Sequence, residues 1–277
     1  MHDLQSTRPV ASAEAAGESF VHTRAFEWLS RAGFVARALV YGIIGVLALK
    51  LAIGYGGKLT SQQGALHTVA KQPFGKVLLT LVAIGLGGYS LWRLVRAAIG
   101  HGPEGSDTGF ARVAALGSGI AYAVICGVAI EILLGAGGGH GGTKKPTAGV
   151  LGWPGGTWIV GIAGGVMIGV ALYQGYRGIT KKFLDDSKVG EMSPTMKVWI
   201  GRLGTFGHLA RMVVFGLIGV FLVKAAIDYN PNKAVGLDGA LAKLAHHSYG
   251  PYLLGIVAAG LVAFALYSLS DARYRKI

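Results

Sequence analysis

Gly33-Phe34-Val35-Ala36-Arg37-Ala38-Leu39-Val40-Tyr41-Gly42-Ile43-Ile44-Gly45-Val46-Leu47-Ala48-Leu49-Lys50 decides the fold, because the chain carries it twice. It returns as Gly207-His208-Leu209-Ala210-Arg211-Met212-Val213-Val214-Phe215-Gly216-Leu217-Ile218-Gly219-Val220-Phe221-Leu222-Val223-Lys224. The arginine, the lysine and all three glycines keep their spacing, which marks an internal repeat. Each copy is an apolar helix, and with Leu51 to Gly54 the first is long enough to cross a bilayer.

Further hydrophobic segments of that length follow, joined by short polar connections. Only 14% of the 277 residues are charged, and mean hydropathy is +0.51. That leaves too little polar sequence to cover so many all-round apolar helices in water, so the class is helical membrane protein. Spans are expected at about Gly33–Gly54, from Pro73 to Trp92-Arg93, and at Arg112–Leu134. The others are expected from Pro154 to Tyr173-Gln174, at Gly204–Asp228 and at Pro251–Ser270. His22–Arg31 reads as a short interfacial helix, with Phe26 and Trp28 at the headgroup boundary.

The six spans form three hairpins. A shift of 174 places maps Arg37, Tyr41 and Lys50 onto Arg211, Phe215 and Lys224; beyond the first span a shift of 175 maps Trp92 onto Tyr267. A shift of 81 relates the first hairpin to the diverged middle one, placing Lys50 on Glu131, Pro73 on Pro154 and Trp92 on Tyr173. The middle copy has Ser118 where the others have arginine. Two-helix repeats begin on one side of the membrane, so the copies are parallel and related by an axis along the membrane normal. The expected architecture is all-α and polytopic: an N-terminal segment at 1–27, disordered and then interfacial, and hairpin repeats at 28–100, 110–180 and 200–277. Basic residues crowd the tail, the second and fourth connections and the C-terminus, through Arg24, Arg93, Arg96, Arg177, Lys181, Lys182, Arg273, Arg275 and Lys276. The positive-inside rule therefore puts both termini in the cytoplasm. The same rule accounts for the formal net charge of +13, and no basic stripe or zinc-finger spacing points to nucleic acid.

The paired GFVARALVYGIIGVLAL and GHLARMVVFGLIGVFLV stretches, the QQGAL and LDGAL elements and the closing DARYRK resemble bacterial proteins of the domain of unknown function 1206. The resemblance covers about Trp28 to Lys276. It implies a six-span fold with three two-helix repeats in a bacterial plasma membrane and supplies no catalytic residues.

Lys50, Glu131 and Lys224 occupy equivalent positions near the outer ends of the three first helices. An acid between two bases at a threefold axis would make a polar cluster for a small-solute or ion conduit; alternatively the lysines snorkel to the interface. Arg37 and Arg211 lie about one turn inside the inner ends, suited to lipid phosphate or to loop carboxylates such as Asp185, Asp186 or Asp271. Gln63 and Asp238 open short lid elements after the first and fifth spans, with Asp238 as an N-cap and Ser61, Gln62 or Gln63 capping the other. Gly42 and Gly45, Gly161, Gly165 and Gly169, and Gly216 and Gly219 suit close helix approach. The scattered histidines and the single Cys126 suggest neither a metal site nor a cofactor, and no nucleophile is placed beside a base. The expected function is non-enzymatic: a scaffold or accessory subunit binding anionic lipid, with a membrane-protein partner or homo-oligomer, and transport as the alternative.

Overall fold

A computed structural model describes residues 24–55, 59–99, 109–135 and 144–276. Most of the N-terminal segment, His101 and the glycine connector with His140 lie outside the described residues. The described chain is helical, without a β-strand. In order it forms α1 (Arg24–Ala52), α2 (Gln62–Ala70), α3 (Gly75–Ile99), α4 (Gly109–Leu133) and α5 (Lys144–Leu151). Then come α6 (Gly156–Thr180), α7 (Pro194–Ile227), α8 (Leu237–Ala245) and α9 (Gly250–Tyr274). Six of these, α1, α3, α4, α6, α7 and α9, are long and apolar enough to cross a membrane, so this is a multi-pass membrane protein.

At the end of the bundle where the termini lie, helices run on past the expected spans. The expected interfacial helix is continuous with the first span, because nothing between Arg31 and Phe34 breaks a helix and Arg31 Nη1 donates to the Ala272 carbonyl at 2.6 Å. α3 runs on to Ile99 beyond Trp92-Arg93, its arginines lying against the Trp92 ring. α7 starts at Pro194, ten residues before Gly204, with Ser193 as N-cap accepting from the Met196 N–H. Polarity marks where a helix leaves the hydrocarbon, not where its hydrogen bonds stop.

Each first helix is followed by a short lid helix, in all three copies and not only the first and third. α5 is the unforeseen one, at the place where a shift of 81 carries α2. Ser61 caps α2 through the Gly64 N–H at 3.3 Å. The cap of α8 is Gly236, with Asp238 in its first turn. From each lid the chain enters the next span at a glycine: Gly75, Gly156 or Gly250. A Cβ there would collide with a lid carbonyl, that of Ala70, Val150 or Ala245 respectively. This contact is the most regular feature of the repeat.

The spans do not pack mainly as hairpins. The broadest interfaces join different repeats: α6 with α7, α9 with α1, and α3 with α4. α1 with α3 and α7 with α9 pack within a repeat, but among the described residues α4 and α6, the two spans of the middle repeat, share no packed interface. The spatial order is therefore an arc, α6-α7-α9-α1-α3-α4, open between its ends. Burial agrees: 17% of the α4 span and 22% of the α6 span is buried, against 56% for α1 and α9.

Small residues make the tight contacts, as packing in lipid requires. A Cβ on Gly219 would lie 2.8 Å from the Gly164 carbonyl and one on Gly164 2.9 Å from that of Gly219, so α6 and α7 touch backbone to backbone. Gly45 meets α9 in the same way, with Ala258 O at 3.0 Å. Gly42, Gly161 and Gly216 make ordinary contacts, while Gly165 and Gly169 face open space instead of a neighbouring helix.

Gly250→Ala should lower the thermal midpoint, since overpacking against fixed backbone costs roughly 1–3 kcal/mol. Gly165→Ala, which meets nothing, should stay within about 0.5 kcal/mol of the parent. Detergent melting curves of the two variants test the lid-to-span contact; equal midpoints would remove it as a constraint.

Candidate functional site

Three positions related by the repeat build the polar centre. Arg37 on α1, Ser118 on α4 and Arg211 on α7 are equivalent. Opposite them, one turn apart on the second helices, stand Arg93 and Arg96 on α3, Gln174 and Arg177 on α6, and Ser268 and Asp271 on α9. The shifts of 81 and 175 relate all three pairs. Each interface between repeats therefore holds its own combination of these groups near the end of the bundle where the chain enters and leaves.

Between α9 and α1 the charge is neutralised. Arg37 is 4% exposed, and its Nη2 donates to Asp271 Oδ2 at 2.7 Å. Its Nε donates to Ser268 Oγ at 3.1 Å and its Nη1 to the Tyr89 hydroxyl at 2.9 Å. Phe34, Tyr89 and Phe264 turn ring faces to the guanidinium. Arg37 is thus enclosed by protein groups, of which only Asp271 belongs to the carboxylates considered from sequence.

The pair continues outward. Arg275 Nη1 lies 3.6 Å from Asp271 Oδ1, and Arg275 Nη2 donates to Asp186 Oδ2 at 3.0 Å. Asp186 is also paired with Arg177. Burial opposes ionisation of Asp186, but Arg275, Arg177 and Arg96 outweigh it and hold the carboxyl below its usual range. Backbone bonds from Lys188 N to Tyr274 O at 2.7 Å and from Lys276 N to Asp186 O at 3.0 Å fasten the C-terminal tail to the connection after α6.

Between α6 and α7 the acid is missing. The position equivalent to Asp271 is Arg177, which is drawn to Asp186, and Ser268 is matched by Gln174. With its carboxamide oxygen facing the guanidinium, Gln174 accepts from Arg211 Nη1 at 2.9 Å and Nη2 at 3.0 Å, and its nitrogen donates to His208 Nδ1 at 3.0 Å. That orientation sets an oxygen, not an N–H, against the cation. His208 then carries its proton on Nε2, which is buried without an acceptor. Phe264, Phe215 and Tyr41 face Arg211 at 4.4, 4.8 and 5.4 Å. Arg211 is half-buried, its Nε–H has no acceptor, and no carboxylate among the described residues reaches it.

Between α3 and α4 the arginine has changed helices. Ser118 leaves α4 without a guanidinium, and Arg93 on α3 supplies one, donating to the Tyr89 hydroxyl from Nε at 3.0 Å and Nη2 at 2.9 Å. Tyr89 oxygen thus accepts from two arginines, Arg37 and Arg93.

At the outer positions Glu131 is half-buried. No described hydrogen bond or ion pair joins Glu131 to Lys50 or Lys224, and both lysines are exposed. Lys224 lines a cavity of about 270 Å³ with Phe221, Asp228, Asn232, Lys233, Val235 and Lys243. Lys233 is paired there with Asp228 at 2.7 Å. The sequence reading missed Gln174, Arg177 and Ser268; aligning position 93 with 174 and 268, and 96 with 177 and 271, would have found them.

Asp271→Asn should cost about 3–5 kcal/mol, because it leaves Arg37 buried without its carboxylate. The folded Asp186 value lies below the unfolded value near 3.9, so its contribution is in place above that range and is lost as pH falls through the depressed value. Asp186→Asn should flatten that acid limb. Thermal midpoints measured in detergent from neutral pH to pH 3 test both.

Comparison with known proteins matches this architecture. The family model described as Domain of Unknown Function (DUF1206) matches three times, at residues 32–100, 113–181 and 206–275. "Uncharacterized protein YxxB" of Bacillus subtilis (strain 168) is 34% identical over 251 residues, covering 88% of this chain and 90% of that protein. No solved structure matches. With three family matches and a relative aligned along nearly its whole length, the chain belongs to the DUF1206 family.

Proposed function

We propose that this chain is a non-enzymatic plasma-membrane protein, both termini cytoplasmic, that serves as a scaffold or accessory subunit. It does so by seating a lipid or a partner's membrane helix between α4 and α6. The open arc carries this reading: two spans of one repeat stand at opposite ends of it without packing on each other. Val113, Leu116, Ile120 and Val124 form an exposed apolar stripe on α4, and Trp158, Ile162, Val166 and Leu172 do so on α6. In lipid no hydrophobic force closes such a gap, since acyl chains are as apolar as the side chains they would leave. Gly165 and Gly169 on α6 leave room for close approach.

Native mass spectrometry of protein extracted in mild detergent should show retained lipid or a second polypeptide, and stripping it should lower the thermal midpoint by several degrees. A bare monomer that melts unchanged after delipidation would overturn the reading. For the orientation, Lys276→Cys in a Cys126→Ala background should react with an impermeant maleimide only after permeabilisation. Lys233→Cys should react in intact cells, and the reverse pattern would invert the topology.

A further inference from the structure

We infer that Arg211, oriented by Gln174, holds the phosphate of one anionic phospholipid, admitted from the bilayer through the gap between α4 and α6. This rests on the lateral-gap reading above and adds the chemistry of the occupant.

Three observations converge. First, Arg37 and Arg211 are repeat equivalents with opposite electrostatic fates. Arg37 is enclosed and paired with Asp271, whereas Arg211 has no carboxylate paired with it among the described residues, Arg177 standing where that acid would be. Gln174 and three aromatic rings solvate the Arg211 guanidinium without cancelling its charge. A cation inside a membrane bundle calls for a counter-anion. Second, its surroundings add positive potential. The chain Arg37, Asp271, Arg275, Asp186 and Arg177 has three cations for two anions. Among the described residues no carboxylate is ion-paired with Arg211. Third, the half-buried guanidinium lies within the arc, touched from α6 by Gln174, from α1 by Tyr41 and from α9 by Phe264. The arc opens at the α4–α6 gap, where α6 itself, the helix bearing Gln174, forms one edge.

Depth selects a lipid over a soluble anion. From Arg211 to the end of α7 at Ile227 the helix rises roughly 24 Å at 1.5 Å per residue. In a hydrocarbon core of about 30 Å that leaves the Cα roughly 6 Å inside the basic face. A guanidinium stem covers that distance, and its planar fork matches two phosphate oxygens. The acyl chains would then run along the exposed faces of α4 and α6.

The test uses full-length protein in nanodiscs of phosphatidylcholine, titrated with phosphatidylglycerol and read by native mass spectrometry and thermal shift. One phosphatidylglycerol should be retained at least tenfold over phosphatidylcholine. Arg211→Gln should abolish that preference, and Arg211→Lys should restore part of it. Circular dichroism and the midpoint in pure phosphatidylcholine verify that each variant is folded. A folded Arg211→Gln protein that keeps the preference overturns the site. Displacement of the lipid by millimolar glycerol phosphate overturns it as well, since a headgroup alone would then suffice. Equal retention of both lipids by wild type sinks the headgroup assignment while leaving the lateral gap occupied. Retention of neither, with no partner chain, removes both readings.

Discussion

The ion pair between Arg37 and Asp271 determines how this bundle closes. Both groups are almost fully buried, 2.7 Å apart, inside a stack of six apolar helices. A buried pair of this kind adds little net stability against a well-packed apolar alternative, but separating its members is expensive. It therefore acts as a constraint on which helices are neighbours. It joins the last span to the first, with Gly45 bringing α9 and α1 to close approach farther along the helices. Through Arg275 and Asp186 it extends to Arg177, so the ends of the second and third repeats are tied to the start of the first.

A chain of three equal repeats would close with three equal interfaces. Here the acids are unevenly distributed, and the packing follows them. The repeat template places a hydrogen-bonding group and, one turn on, a charged group on each second helix: Arg93 and Arg96, Gln174 and Arg177, Ser268 and Asp271. Only the last set can neutralise an arginine across the interface. The α6–α7 contact is instead made by backbone proximity at Gly164 and Gly219, with Arg211 left to a carboxamide and aromatic faces.

Much of this was legible in the sequence and some was not, for separable reasons. The stretch from Gly33 to Lys50 and its copy announced the class, the number of spans and the parallel repeat, because hydrophobic length and periodicity are local properties. Helix ends at Ile99 and Pro194 were hidden, since hydropathy reports the edge of the hydrocarbon and not the end of a helix. α5 was hidden because Lys144-Lys145-Pro146-Thr147 lacks the apolar pattern of the other lids, although the repeat pointed to that place. The pairing of helices across repeats was least legible. Side chains facing a neighbouring helix and those facing lipid are equally apolar, so sequence pattern does not tell them apart. Arg37 and Arg211 looked alike for the same reason: what separates them is Asp271 against Arg177, on helices far away in sequence.

The same electrostatics account for the divergence of the middle repeat. Arg37 and Arg93 already converge on the one Tyr89 hydroxyl, and Tyr122 of α4 packs its ring against Tyr89 with centroids 4.5 Å apart. An arginine at position 118, one turn before Tyr122, would carry a third guanidinium toward the same aromatic cluster. At a separation of about 5 Å and an effective dielectric of about 20, each added like-charge pair costs roughly 3 kcal/mol. Among the described residues no second acid is paired there to offset it, Asp271 being already committed to Arg37 and Arg275. Serine at 118 removes that repulsion. It also leaves α4 without the polar tether that α1 receives from Asp271 and α7 from Gln174. Among the described spans that helix shares a broad interface with α3 only, with the lid α2 as a minor contact, and it is the one that stands at the open edge of the arc.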